Sequence, residues 1–163
     1  MYQNQDQKRL SQQIAIVRDI LSINKSASLS GSIALVFSGV AVRRKVSDID
    51  IYMPYGVAFN KPASLSEDEI PDSGYSDDAG GNDEYTMRTF IHSKPYTKVN
   101  VFITNTPDAS LLVEHNEFLG ISCVVPHEII KFKIKYALTN SSSSEKHRKD
   151  VMFMLEQIEK DTY

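Results

Sequence analysis

The stretch GSIALVFSGVAVRRKVSDIDIYMP, residues 31–54, carries the pattern from which the fold is predicted, and we expect the rest of the chain to be arranged around it. It begins with a Gly-Ser turn that opens a short apolar helix over residues 33–40. A basic loop, residues 43–45, comes next and leads into a strand over residues 47–53. This strand carries two carboxylates, and it is the strongest indication of function in the chain.

The two carboxylates lie on the same face of the predicted strand. Successive side chains of a strand point to opposite faces, so Asp48 and Asp50 share one face. The opposite face is apolar and carries Ile49, Ile51 and Met53. Neighbouring aspartates repel each other unless a cation lies between them, and hard oxygen ligands suit Mg²⁺, or Mn²⁺, brought in with a polyphosphate. The alternative is a solvated strand edge.

The Gly-Ser turn supplies the complementary half of a site. Gly31 has no side chain to block the close approach of a ligand. The helix that follows presents unpaired N–H groups and the positive end of its dipole to an anion. We therefore expect Gly31 and Ser32 to bind phosphate and the two aspartates to bind metal, which together make a nucleotide site.

Residues 31–53 resemble the signature of the nucleotidyltransferase fold superfamily: a glycine followed by Gly or Ser, a spacer, and Asp-apolar-Asp-apolar. Within it, the chain looks most similar to the type IV toxin–antitoxin (abortive-infection E toxin) nucleotidyltransferases and to small antibiotic-type nucleotidyltransferases. The resemblance implies an α/β (α+β), polymerase beta-like fold, with a small mixed sheet flanked by helices and a C-terminal helical extension. It also implies transfer of a nucleoside monophosphate.

The resemblance extends to a second strand, predicted over residues 97–104. Asn100 stands where the superfamily often carries a third carboxylate, which helps to hold metal and can take the proton of the attacking hydroxyl. An amide is unsuited to that work because it has no carboxylate lone pair to protonate near neutrality. Lys98 shares a strand face with Asn100, and both residues are expected to contact the NTP.

The C-terminal part resembles the helical motif of the abortive-infection toxins, which has a Pro-Glu-type start, apolar pairs, a lysine, and then arginine and aspartate. The corresponding residues here are Pro126, Glu128, Lys133, Arg148 and Asp150. The resemblance implies that Lys133 contacts the nucleotide phosphates as a catalytic residue and that Asp150 orients it or the metal shell. A salt bridge on the helix surface is the alternative for Lys146, Arg148 and Asp150.

Two charged loops have open interpretations. Arg44, with its neighbours in residues 43–45, either grips the triphosphate or the acceptor, or belongs to a solvated basic loop. Residues 55–84 are rich in acidic residues, proline and glycine, and cannot bury enough apolar surface to order well. We predict a long, acidic, mobile loop, which is either a lid or partner-specificity element or an insertion without such a role.

Composition limits the remaining choices. The chain has 163 residues, enough for one domain with a real core, and its 41% hydrophobic and 24% charged content is ordinary for a soluble globular protein. No apolar run approaches the roughly 20 residues of a membrane span, and the polar start is no signal peptide, so we expect a cytoplasmic protein with no membrane partner. The net charge of −3 argues against bulk coating by nucleic acid but allows a local basic groove. The single cysteine, Cys123, is expected to be buried and inert.

Hydrophobic periodicity predicts the remaining elements. They are helices over 6–24, from 126 onward and over 145–160, and strands over 26–30, 85–92, 97–104 and 121–125. In the helix from residue 126, we expect Ile130, Ile134 and Leu138 to form the buried ridge, with the lysines on other sides. Residues 1–125 are the predicted core, with residues 126–163 as a C-terminal helical pair packed on it within a single domain.

We therefore expect a nucleotidyltransferase that uses an NTP and Mg²⁺ to modify a hydroxyl acceptor on tRNA, on a protein or on a small molecule. The resemblance to toxins adds an antitoxin or other regulatory protein as an expected partner. The rival interpretation is a binding or regulatory module that kept the fold and lost the chemistry. Asn100 favours the rival, and the paired aspartates oppose it.

Overall fold

The computed structural model describes residues 6–43, 45–67, 84–138 and 144–162. Within these residues there are four α-helices, namely α1 (Gln7–Ile23), α2 (Gly31–Phe37), α3 (Pro126–Ala137) and α4 (Ser144–Thr162). The same residues form seven strands, namely β1 (Ser28–Ser30), β2 (Ile49–Met53), β3 (Leu65–Glu67), β4 (Tyr85–Ser93), β5 (Tyr96–Thr104), β6 (Val113–Asn116) and β7 (Ile121–Val124). None of the helices in this described part is both long and apolar enough to cross a membrane.

The strands of the described residues form one mixed sheet in the order β3-β4-β5-β2-β1-β7-β6. β2 lies in the middle of the sheet, antiparallel to β1 and parallel to β5, and β1 runs parallel to β7. Every residue of β2 is buried, as expected for a central strand that is covered on both faces. The mixed sheet and its helices confirm the predicted α+β class.

Helix α1 holds the chain where it enters β2. Gln13, buried on α1, donates from Nε2 to the carbonyls of Val46 and Ser47, each at 3.2 Å. Arg9 adds a hydrogen bond of 3.1 Å to the carbonyl of Ser47. These bonds fix the backbone immediately before Asp48, so the first helix of the chain helps to position a predicted metal ligand.

The elements of the opening stretch are shorter than predicted. The strand expected from residue 47 begins at Ile49, so Asp48 lies just before β2. Helix α2 ends at Phe37, because Gly39 adopts a left-handed φ of +82° and the N–H of Val40 bonds back to the carbonyl of Leu35. The glycine thus ends the helix before the apolar run ends.

The loop predicted over residues 55–84 is corrected at its beginning, where β3 forms and pairs with β4. Leu65 is buried, and its carbonyl accepts a hydrogen bond of 2.9 Å from Nζ of Lys61. Glu67 forms an ion pair with Arg88 of β4. A strand of three residues is too short to reveal itself by alternation, which explains the omission. Residues 68–83 lie outside the described residues.

Ile130 is partly buried against the core, but the ridge predicted for α3 was wrong at its other two residues. Ile134 is 43% exposed and Leu138 is 82% exposed, whereas the buried residues of α3 include Ile129, Lys133 and Tyr136. Apolar spacing alone assigns a lysine to the solvent side. Here a charged partner on α4 allows the lysine to face inward.

Candidate functional site

Asp50 lies against the turn that opens α2. Ser30, the last residue of β1, pairs directly with Asp50 across the two strands. A Cβ atom at Gly31 would lie 2.0 Å from Oδ2 of Asp50, and Gly31 has a left-handed φ of +65°. Only glycine tolerates both conditions. The structure therefore brings together the glycine turn and one of the two predicted metal ligands.

Asn100 contacts the other side of the same carboxylate. β2 and β5 pair so that Asp50 lies beside Asn100, and the amide Nδ2 donates to Oδ1 of Asp50 at 3.1 Å. Thr89 donates from its hydroxyl to Oδ1 of Asn100 at 3.2 Å, which turns the NH₂ group of the amide toward the aspartate. Asn100 therefore presents a hydrogen-bond donor, and not a second carboxylate, to Asp50.

The electrostatic environment of Asp50 favours its neutral form. Burial raises the pKa of this carboxyl group above its ordinary value, and the hydrogen bond from Asn100 opposes that effect. The negative charge of Asp48 raises the same pKa further, whereas Lys146 and Lys133 lower it by smaller amounts. Ionisation of Asp50 beside the negative charge of Asp48 is therefore unfavourable unless a cation offsets the two charges.

The donor atoms at the start of β2 fit a divalent cation. Asp48 and Asp50 offer hard oxygen ligands, and Asp48 is only half-buried. Among the residues the structure describes, no group of three or more His, Cys, Asp or Glu side chains could hold a metal ion. A cation at these two carboxylates would complete its ligand set with phosphate oxygens and water, as Mg²⁺ commonly does.

A second charged cluster joins α3, α4 and the basic loop. Nζ of Lys133 lies 3.2 Å from Oδ2 of Asp150, and each side chain is only 6% exposed. Nε of Arg43 donates to Oδ1 of the same aspartate at 3.0 Å. The interpretation of Asp150 as part of a surface salt bridge on its own helix is therefore wrong, since it is buried and its cationic partners come from α3 and the loop before β2.

A small cavity lies between these two clusters. Its volume is about 30 Å³. Polar groups of the lining come from the glycine turn, the aspartate of β2 and the lysine of α3, and most of the other lining side chains are apolar or aromatic. The complete lining is Ser30, Gly31, Asp50, Tyr52, Tyr85, Phe102, Leu111, Ile129, Phe132, Lys133 and His147. Asp50 and Lys133, which are far apart in the sequence, thus face one space.

His147 is a member of this site that sequence reasoning missed. It is 1% exposed, lines the cavity and lies with its ring 6.0 Å from that of Tyr136. The available signal was its i, i+3 spacing from Asp150, which puts both side chains on one face of α4. Histidine spacing typical of a metal site is absent from the sequence, so this residue attracted no prediction.

Two other predicted site residues, Ser32 and Lys98, do not line the cavity. Ser32 is half-exposed in the first turn of α2, where Ser30 and not Ser32 lines the cavity. Lys98 is half-buried, and extending the pairing of β2 with β5 by one residue brings it opposite Asp48. Arg44 lies outside the described residues, and its neighbour Arg43 is the loop residue that reaches the charged cluster.

No protein-family model matches the chain, and no curated protein sequence matches it. The fold resembles that of an antigenic nucleotidyltransferase-like protein from Paracoccidioides brasiliensis, with a TM-score of 0.50 and 13% identity over 93% of this chain and 77% of that one. It is also similar to JHP933 from Helicobacter pylori, with a TM-score of 0.49 and 16% identity over 94% and 68% of the two chains. On the first of these likenesses the chain has a nucleotidyltransferase-like fold, as the opening stretch predicted.

Proposed function

We propose that this protein transfers a nucleoside monophosphate from an NTP to a hydroxyl acceptor and releases pyrophosphate, with Mg²⁺ or Mn²⁺ as cofactor. The observation that carries the proposal is the contact between the carboxylate of Asp50 and the backbone of Gly31. It joins a hard oxygen ligand for a cation to a turn at which phosphate can approach the main chain. A merely structural aspartate has no need of this arrangement.

The residues of the site divide into two groups. Gly31 and Ser32 would bind the phosphates at the start of α2, where Ser30 makes no side-chain capping hydrogen bond to the helix. Asp48 and Asp50 would hold the divalent cation, which when bound neutralises phosphate charge and polarises the phosphoryl group. The proposal depends on Gly31 and Asp50 more than on Ser32, because those two are in contact.

Lys133 would offset the charge that develops on the leaving pyrophosphate. Lys133 lines the same cavity as Asp50, and its ammonium group is held by Asp150 at 3.2 Å. A buried lysine fixed by a counter-charge needs little rearrangement to meet a phosphate at the mouth of the cavity. Asp150 is then a positioning residue, because it acts through Lys133 and Arg43.

The proposal predicts that the variant carrying both Asp48→Asn and Asp50→Asn loses binding of Mg-NTP. The two amides keep the shape of the site but remove the negative charges that a cation needs. Titration calorimetry with each of the four NTPs in Mg²⁺ measures the effect. Glu159→Gln, an exposed change on α4, is the control and should bind as the parent protein does.

Unchanged Mg-NTP affinity in the double variant would remove the metal assignment. Binding that survives without Mg²⁺ in the parent protein would have the same consequence. Loss of binding in the Glu159→Gln control would point to a general effect on folding.

The cellular setting of the reaction is inferred from the motif resemblance. The motif resemblance supports a toxin or defence enzyme in the cytoplasm, with tRNA, a protein or a small molecule as acceptor and an antitoxin or regulatory protein as partner. This assignment is supported by the match of Lys133 and Asp150 to the helical motif of the toxins. The two side chains are in contact in this protein.

A second candidate function is a nucleotide-binding or regulatory module that has lost catalysis. It is favoured by Asn100, because the amide donates to Asp50 and cannot act as a base toward an acceptor hydroxyl. Incubation with all four labelled NTPs, total tRNA and a protein lysate separates the two functions. Label on any acceptor supports the transferase, and its persistent absence together with Mg-NTP binding supports the module.

A further inference from the structure

An open groove runs along the outer side of α4, beside the candidate site. Its volume is about 370 Å³. Its lining combines three cations, two acids and two large apolar side chains: Arg43, Glu145, Arg148, Lys149, Met152, Phe153 and Glu156. We name this feature the α4 groove.

The α4 groove is more positive than the chain as a whole. Its three cations exceed its two acids, whereas the complete chain has a formal net charge of −3. The ion pair of Lys149 with Glu145, at 3.5 Å, involves two side chains that are each more than half exposed, so it is weak and easily exchanged for another anion. A local positive region on an acidic protein attracts a polyanion to that region.

Two large apolar side chains are accessible between the cations. Met152 is more than half exposed, and Phe153 is half-buried. Unpaired bases stack on such surfaces, and each base-aromatic contact contributes roughly 1–3 kcal/mol. A duplex keeps its base faces hidden, so this combination suits a single strand.

The α4 groove is connected to the candidate site by two ion pairs. Arg43 lines the groove and bonds to Asp150 at 3.0 Å, while Asp150 bonds to Lys133 at 3.2 Å. Lys133 in turn lines the cavity that contains Asp50. A chain that enters the groove therefore comes close to the position expected for the NTP.

We propose that the α4 groove binds single-stranded nucleic acid and that a hydroxyl of this strand is the acceptor. In the reaction, the hydroxyl oxygen forms a bond to the α-phosphorus, the bond from that phosphorus to pyrophosphate breaks, and the hydroxyl proton passes to solvent. The identity of the acceptor rests on the proposed function. Binding of the strand to the groove stands independently of it.

The test measures fluorescence anisotropy of a labelled oligouridylate of about 12 nucleotides with the full chain, at several salt concentrations. Lys149→Glu should weaken binding about tenfold and reduce the slope of log affinity against log salt by about 1–2, because a phosphate contact becomes a repulsion. Phe153→Ala should weaken binding at least about fivefold with little change in the salt slope.

Lys25→Glu is the matched control, since it makes the same charge change at an exposed lysine just after α1 and outside the groove. Failure of the parent protein to bind the oligonucleotide would overturn the proposal. So would equal losses for Lys149→Glu and Lys25→Glu, or displacement of the oligonucleotide by polyglutamate at the same charge concentration. The last result would assign the groove to acidic proteins.

Calorimetry with Mg-NTP separates this proposal from the proposed function. Lys149→Glu should bind Mg-NTP as the parent protein does, because Lys149 lies outside the cavity. A parent protein that binds the oligonucleotide through the groove but binds no Mg-NTP would refute the transferase and leave the groove assignment standing. Normal Mg-NTP binding without oligonucleotide binding would refute the groove assignment and leave the proposed transferase standing.

Discussion

At the residue scale, the site depends on the lack of a side chain at Gly31. Gly31 allows the carboxylate of Asp50 to lie against the main chain, and its φ of +65° belongs to the region that favours glycine. The two requirements are separable, because Gly120 has a similar φ of +69° with nothing within 4 Å of an added Cβ. Gly31 is therefore needed both for its left-handed φ and for the close contact with Asp50, whereas Gly120 is needed for its left-handed φ alone.

Gly31→Ala should therefore lower the free energy of unfolding by more than Gly120→Ala does. Both changes impose a left-handed residue, which costs roughly 1–2 kcal/mol, but only the first also displaces Asp50. We expect Gly31→Ala to abolish Mg-NTP binding and Gly120→Ala to preserve it. Urea denaturation and calorimetry measure the two effects. Equal stability losses with retained binding in both variants would show that the contact with Asp50 has no role.

At the scale of elements, α3 and α4 pack through charge as well as through apolar contacts. The buried face of α4 includes His147, Asp150 and Met154, and Asp150 meets Lys133 from α3. A buried ion pair contributes little net stability, yet removing one partner leaves an uncompensated charge. The helix pair is therefore sensitive to single changes at this interface.

Asp150→Asn should lower the free energy of unfolding by about 3 kcal/mol, because Lys133 and Arg43 lose their shared counter-charge. Glu145→Gln, which breaks the exposed pair with Lys149, is the matched control and should cost less than about 1 kcal/mol. Thermal and urea denaturation followed by circular dichroism measure both. A loss for Asp150→Asn no larger than that of its control would contradict the assignment of Asp150 as a buried partner.

At the scale of the whole molecule, the free energy of unfolding should depend on pH through the ionisation of Asp50. Burial raises the pKa of Asp50 in the folded state above 3.8, its ordinary value. The folded protein therefore binds this proton more tightly than the unfolded chain does. The contribution of Asp50 to stability is greatest below its unfolded pKa and is lost as the pH rises through the raised folded value.

Asp50→Asn should consequently be more stable than the parent protein at neutral pH in the absence of divalent cations, by a few degrees in Tm. The difference should shrink as the pH falls, since the parent carboxyl group becomes protonated and neutral. Mg-NTP should raise the Tm of the parent protein and leave that of the variant unchanged. Calorimetric scans from acidic to neutral pH provide the measurement. A stability difference that is constant across this range would contradict the raised pKa.

Much of the fold was accessible from local patterns. The hairpin of β4 and β5, the helix α1 and the central strand β2 follow from periodicities of 2 and 3.6 that each element carries within itself. β3 and β6 were missed, because strands of three and four residues at the ends of the sheet are too short or too exposed to carry such a pattern.

The local sequence is enough to show that a glycine turn and an aspartate strand form one unit, because Gly31 and Asp50 are close enough along the chain for one short helix and a loop to join them. That Lys133, His147 and Asp150 surround the same site follows from the three-dimensional packing of α3 against α4 and not from the local sequence. Their inward direction depends on partners from distant elements. No periodicity within α3 or α4 encodes such partners, because a lysine or histidine is buried only where another element supplies the compensating contact.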